Sequence, residues 1–314
     1  MRHRLGCWLV LIITSFAGLS LARAQYVLGS QGVVPGEDIS ALPPPLFEEV
    51  YQPSYFFNID LGLVQPRLHQ PGGNGTGNFN QSLDWTLSPR FEFGVLNRGW
   101  LNPYFGYRGI YSDATTFAYE PILDTSYGLF NSAELHALDF GVLSETFPLL
   151  AVIRAQWDLS MRLTVADFYN RADFDFILNE PSFFTTRIRQ QFVGAGPRAG
   201  LRMDLPLQDT GLSLYAMTDA GLQWGGFRAR TSIESVIDGD YGYDEEEQSK
   251  GGILWHTGAQ LGLRYAPPQH CNRLSFTAGY LYEAWFSRDI NLMGDSGTGR
   301  FDYHGPFFRI EWRY

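Results

Sequence analysis

The chain has 314 residues, with 33 acidic against 23 basic side chains and two cysteines, Cys7 and Cys271. A net charge of −10 lacks the basic footprint that a nucleic-acid partner requires. Beyond the first 24 residues no stretch approaches the roughly 18 consecutive apolar residues of a membrane helix. If the mature chain resides in a membrane it therefore has to cross with strands closed into a barrel.

In chain order, Arg2, His3 and Arg4 precede a mostly apolar run from Leu5 to Leu21, and Ala22-Arg23-Ala24 gives an A-x-A cleavage pattern before Gln25. A short apolar run with such a site predicts a signal peptide over 1–24 rather than a membrane anchor. Cleavage would leave 20 of the 23 basic residues against 33 acidic ones, a net of −13, and one cysteine, Cys271. No intramolecular disulfide is then expected. Cys271 lies in a Pro267–Asn272 turn pattern and is a poor metal or catalytic candidate. Residues 25–54 hold Pro35, Pro43, Pro44, Pro45 and Pro53 and read as a Pro-rich periplasmic segment. Residues 55–314 read as one barrel.

Ala151–Val165 alternates almost without error: Ile153, Ala155, Trp157, Leu159, Met161, Leu163 and Val165 are apolar, and Arg154, Gln156, Asp158, Ser160, Arg162 and Thr164 are polar. Period 2 means a strand with one apolar and one polar face. Similar patterns begin near Tyr55, Trp85, Leu101, Glu134, Val193, Leu212, Ile253, Leu274 and Phe308, and the one at Glu134–Thr146 is the least regular. Ten strands result, with twelve as the alternative. The expected fold is all-β, a transmembrane antiparallel up-and-down barrel with short periplasmic turns and long outer loops. The turns fall near Asn97–Gly99, Phe147-Pro148, Leu207–Gly211 and Pro267-Pro268, and the loops over 65–83, 112–133, 166–187, 227–251 and 288–300. On the apolar face Trp85, Trp157, Trp224, Trp255 and Trp312 suit an interfacial aromatic girdle. A secreted soluble barrel is the competing reading, and it predicts shorter strands and fewer inward arginines.

Three stretches carry a family resemblance. Phe308-x-Ile310-x-Trp312-x-Tyr314 resembles the C-terminal assembly signal of bacterial outer-membrane barrels. Phe192–Leu201 (FVGAGPRAGL) and Leu83–Gly94 (LDWTLSPRFEFG) are similar to strands of the Legionella-type major outer-membrane, pore-forming protein family. The resemblance implies a pore-forming barrel in the outer membrane, in contact with lipid and lipopolysaccharide and handled by the barrel assembly machinery. It identifies no ligand, and a homo-oligomer stays open.

On the polar face, Asp60, Arg90, Arg108, Asp158, Arg198, Asp219 and Arg309 align near mid-height, while Arg154, Arg202, Arg264 and Arg313 fall nearer the periplasmic mouth. With Arg162 and Glu283 they form the expected lumen lining. Such charges set selectivity in an open pore or pair with one another to fill a narrow one. Arg154, Asp158 and Arg162 are spaced to pair along their strand as well as across it. Ten strands sit near the filled end of the size scale. The first expectation is narrow porin-like passage of ions or small solutes, the second a structural or surface-exposed barrel with a plugged lumen.

The remaining motifs are weak. Asp244–Glu247, with Asp238 and Asp240, reads as a solvated outer loop without Ca²⁺-loop spacing. Residues 71–77 (PGGNGTG) form a flexible tip, and Gly194-Ala195-Gly196 precedes no helix and is no dinucleotide fingerprint. Asp302 and His304, with Asp84, give half of an omptin-like hydrolytic site. His69, His136 and His256 have no serine partner two residues away. No enzyme activity, cofactor or metal is therefore expected.

Overall fold

The computed structural model describes residues 54–70, 79–96, 101–120, 125–150, 152–177, 181–207, 210–237, 239–267, 273–288 and 299–314. The expectations for residues 1–53, the 71–77 tip and Cys271 lie outside them. Twelve strands run in chain order: β1 Ser54–Gln70, β2 Phe79–Ser82, β3 Thr86–Leu96, β4 Leu101–Glu120, β5 Thr125–Ser144, β6 Phe147–Pro148, β7 Arg154–Ile177, β8 Pro181–Pro206, β9 Leu212–Ile237, β10 Asp240–Tyr265, β11 Leu274–Ser287 and β12 Gly299–Arg313. Ten of them pair with their sequence neighbours, all antiparallel, in the order β12-β11-β10-β9-β8-β7-β5-β4-β3-β1. The ring closes through β1 against β12, with Ile59 opposite Ile310 and Asp60 opposite Arg309. β2 and β6 are short additions, β2 on β1 and β6 on β7. The barrel therefore has ten staves.

The apolar members of each alternating run point outward. Phe57, Leu61, Leu87, Phe93, Leu159, Met161, Leu163, Val193, Leu214, Leu261 and Leu263 are all exposed. The polar members point inward and are buried, among them Asp60, Arg90, Asp158, Arg162, Arg198, Asp219 and Arg309. An exterior of leucine and phenylalanine around an interior of arginine and aspartate is the polarity of a barrel solvated by lipid. It is opposite to that of a soluble one.

The outer connections differ from the loop expectation. Over 112–133, 166–187 and 227–251 the ladder continues, and strands run on to connections at 121–124, 178–180 and 238–239. Gly239, with φ of 86°, makes the tightest of these turns in the left-handed region that glycine tolerates. β8, β9 and β10 reach 26 residues each, about 85 Å at roughly 3.3 Å per residue. Crossing a bilayer takes only about 9–11 residues, so these hairpins project far beyond it.

In the projection the polarity inverts. Inward positions become apolar: Leu68, Ile110, Leu135, Phe168, Phe192, Phe227, Leu254, Trp285 and Phe301 form one buried cluster. The alternate, outward positions become polar, as at Glu134, Asp167, Arg189 and Arg228. Outside the bilayer the solvent is water, so the barrel takes the polarity of a soluble protein. The period of 2 persists and only its phase changes.

Candidate functional site

The inward charges are set by register. Asp158 on β7 faces Gly200 on β8, which faces Asp219 on β9, which faces Gly258 on β10, which faces Glu283 on β11. Acids therefore alternate with glycines around half of the ring. A Cβ at Gly200 would overlap the Asp158 carboxylate, and one at Gly258 would overlap that of Asp219. The glycines give the acids room to lie along the wall, leaving the centre to arginines.

Those arginines form ion pairs across and around the lumen. Arg198 donates to both Asp158 and Asp219, and to the Tyr104 hydroxyl at 3.2 Å. Arg162 forks onto Asp139 at 2.6 and 2.7 Å and reaches His256 at 3.1 Å. Arg108 on β4 crosses to Glu283 on β11. Arg202 on β8 crosses to Glu92 on β3 at 2.7 Å, and Arg90 shares that carboxylate. Arg309 forks onto Asp60 and donates to Gln260 at 3.0 Å and to the Tyr215 hydroxyl. Near the periplasmic end Arg264 holds Asp204 at 2.9 Å and also Glu311.

This layer is dense. Asp158, Arg162 and Arg309 have 0% of their surface accessible, and Arg198 has 2%. Trp285 packs at the top of the layer, its ring 4.3 Å from that of His256 and 5.7 Å from the Arg162 guanidinium. Above it sits the apolar cluster, with the rings of Phe192 and Phe227 tilted against each other at 4.6 Å and those of Phe168 and Phe301 at 5.3 Å. The lumen is thus filled twice, by ion pairs and then by an apolar core. Toward the periplasm it opens into a cavity of about 40 Å³, lined among others by Arg154, Arg202, Asp204, Arg264, Glu311 and Arg313.

All twelve sequence-derived lumen residues point inward, but their partners differ from the simplest expectation. Asp158 pairs with Arg198 across the strands, not with Arg154 or Arg162 along its own. Arg154 is exposed at the periplasmic mouth. The sequence reading missed Asp139, which sits on the irregular β5, and the inward aromatics Tyr104, Tyr215, Trp285 and Tyr303. Position parity on their strands would have found them.

Of the five girdle tryptophans, Trp85, Trp224, Trp255 and Trp312 are about half exposed and Trp157 somewhat less. Phe308, Ile310, Trp312 and Tyr314 follow the outward parity of β12. The hydrolytic candidates do not converge. Asp302 and His304 share the outward parity: Asp302 is paired with His69 at 2.9 Å and with Arg300, and His304 is bonded to the Tyr280 hydroxyl. The acidic run 244–247 lies on β10, where Glu245 and Glu247 pair with Arg230 at 2.8 Å and Arg228 at 2.7 Å on β9. It is half of a charged ladder, not a loop. Among the described residues no cluster of His, Cys, Asp or Glu could hold a metal ion.

A closed ten-stranded ring with a lipid-type exterior, tryptophans on that face and a charge-filled interior defines an outer-membrane β-barrel protein. Residues 156–314, half of the chain and all of β8 to β12, match the family model described as Legionella pneumophila major outer membrane protein precursor. The chain belongs to that family. A search of curated proteins gives no match. Among solved structures it is similar to the outer membrane protease OmpT from Escherichia coli (10% identity, 83% of this chain and 97% of that one, TM-score 0.45). It is also similar to the toluene transporter TodX from Pseudomonas putida (6% identity, 83% and 89%, TM-score 0.30) and to Neisserial surface protein A (10% identity, 83% and 97%, TM-score 0.26). None of the three is close enough to transfer a function.

Proposed function

We propose that this protein is a plugged outer-membrane barrel that works at the cell surface through its projecting hairpins, with no open path for solutes in its resting state. The observation that carries this reading is the double filling of the lumen, in which Asp158, Arg162, Arg309, Trp285 and Phe301 have no accessible surface. Passage would require the cross-lumen pairs and the apolar core above them to separate together. Planar-bilayer recording on purified protein tests it. The expected result is no steady conductance for the wild type and measurable conductance for Arg198→Ala/Trp285→Ala. A steady ohmic channel in the wild type would refute the reading and favour narrow porin-like passage. That second reading draws its support from the cavity open to the periplasm and the charged lining above it.

The chain is read as a non-enzyme, since Asp302 and His304 are engaged by other partners on the outward face. Peptide and lipid hydrolysis at equal background levels in wild type and His304→Ala is the expected result. Residues 1–24 are read as a leader removed after Ala24, which N-terminal sequencing of the mature protein checks. The outward apolar band supports contact with outer-membrane lipid and lipopolysaccharide. Phe308, Ile310, Trp312 and Tyr314 support recognition by the barrel assembly machinery, and truncation of Trp312–Tyr314 should impair assembly. Chemical cross-linking of native membranes tests for a homo-oligomer.

A further inference from the structure

The periplasmic cavity carries an excess of cations that the rest of the lumen does not share. Four guanidinia line it, from Arg154, Arg202, Arg264 and Arg313, against two carboxylates, Asp204 and Glu311. Arg264 engages both of those carboxylates. Arg202 is committed to Glu92 through Nη2. Adding Arg90, Arg309, Glu92 and Asp60 from the layer above leaves the excess of two cations unchanged.

Arg154 and Arg313 account for that excess, since neither has an ion-pair partner among the described residues. They converge from different elements, Arg154 at the start of β7 and Arg313 at the end of β12. A third group points to the same space: Arg202 is 7% exposed, and its Nε is buried without a hydrogen-bond partner. Buried guanidinium N–H groups normally find acceptors, and the side chain that carries this one belongs to a residue of the cavity lining. The cavity volume of about 40 Å³ exceeds the roughly 10–15 Å³ that one water requires, leaving room for a small polyatomic ion. Guanidinium forks match the oxygens of phosphate-type anions.

We propose that the periplasmic mouth is a binding site for a small soluble oxyanion of two negative charges, of the phosphate or sulfate type, held by Arg154, Arg202 and Arg313. Two unpaired guanidinia match the charge of a dianion, so its binding brings the local balance to neutrality. The wall of paired strands separates the site from the bilayer, so the ligand arrives from the periplasm and not as a lipid headgroup.

The test is calorimetric titration of inorganic phosphate into the refolded full barrel in maltoside micelles, which contain no phosphate, at constant ionic strength. The wild type should bind phosphate saturably, and sulfate should compete while chloride does not. Losing two charge-assisted contacts in Arg154→Gln/Arg313→Gln should weaken binding about tenfold or more. Arg189→Gln, on an outer hairpin, should leave it unchanged. Retained heat-modifiability on gels checks the fold, and Arg313→Lys, which keeps the charge and loses the fork, should give an intermediate affinity. Absence of saturable phosphate binding in the wild type, equal competition by chloride, or an unchanged affinity in the double variant would each overturn the proposal.

Discussion

Replacing Arg198 with alanine removes the guanidinium that joins β8 to two neighbouring strands. In the wild type it serves Asp158 and Asp219 together and also reaches the Tyr104 hydroxyl. The two acids lose unequally. Asp219 keeps Arg108 at 3.6 Å and Arg162 at 3.9 Å. Among the described residues Asp158 keeps only the Tyr104 hydroxyl, at 3.2 Å, and it has no accessible surface through which water could solvate it. Stranding one partner of a buried pair costs about 3–5 kcal/mol, and one stranded carboxylate sets the expected loss here. The Arg189–Asp167 pair on the outer hairpin, with Arg189 more than half exposed, provides the contrast. Its removal should cost about 0–1 kcal/mol. Urea unfolding of the barrel in lipid vesicles, followed by tryptophan fluorescence, measures both. Adding Asp158→Asn to Arg198→Ala removes the stranded charge and should recover part of the loss, a non-additivity expected of residues in direct contact. An Arg198→Ala cost within about 1 kcal/mol of zero would refute the buried-pair reasoning. So would a double variant less stable than Arg198→Ala alone.

Three further outcomes follow from the layers. Phe192→Ala, in the apolar core above the bilayer, should destabilise the barrel by about 3–5 kcal/mol and speed amide exchange in β8 and β9; unchanged exchange would mean that the core does not hold the projection together. Met161→Arg, midway along the lipid-facing run of β7 from Trp157 to Val165, should cost about 2–4 kcal/mol, whereas Asp167→Arg six residues further out should cost far less; similar costs would misplace the membrane boundary. At the hairpin tip, hydrogen bonds from Arg230 and the Tyr243 hydroxyl hold the Glu245 carboxyl below its ordinary value of 4.5. A carboxyl depressed in the folded state keeps its pairing above the unfolded value and loses it as pH falls through the folded one. The β9–β10 pair should therefore survive down through pH 4.5 and fail below it, with a carbon NMR midpoint that rises in Arg230→Gln; a midpoint unmoved by that substitution would refute the coupling.

How much was legible depends on where each strand meets a uniform solvent. Between Trp157 and Val165 lipid lies on one side and the charged lumen on the other, so alternation fixes both strand and facing. Beyond Val165 the same strand continues through Ala166, Asp167, Phe168 and Tyr169, but with polar and apolar positions exchanged. A pattern that changes phase at the membrane edge looks like a pattern that ends, and the extended hairpins therefore read as loops. The acidic run 244–247 misleads similarly, because its neutralising arginines lie 15 to 19 residues away on the facing strand.

The sequence by itself determined the lipid-type polarity, the ten staves and the set of arginines and aspartates that turn inward. All three follow from local period-2 alternation, which the backbone pleat imposes residue by residue. Only the tertiary structure decided which charges meet. Arg108 with Glu283 and Arg202 with Glu92 join strands on far sides of the ring, and that pairing depends on closure and on the stagger of every ladder between them. The apolar core above the membrane was likewise decided there, since Phe192, Phe227 and Phe301 become a core only when closure brings their inward faces together.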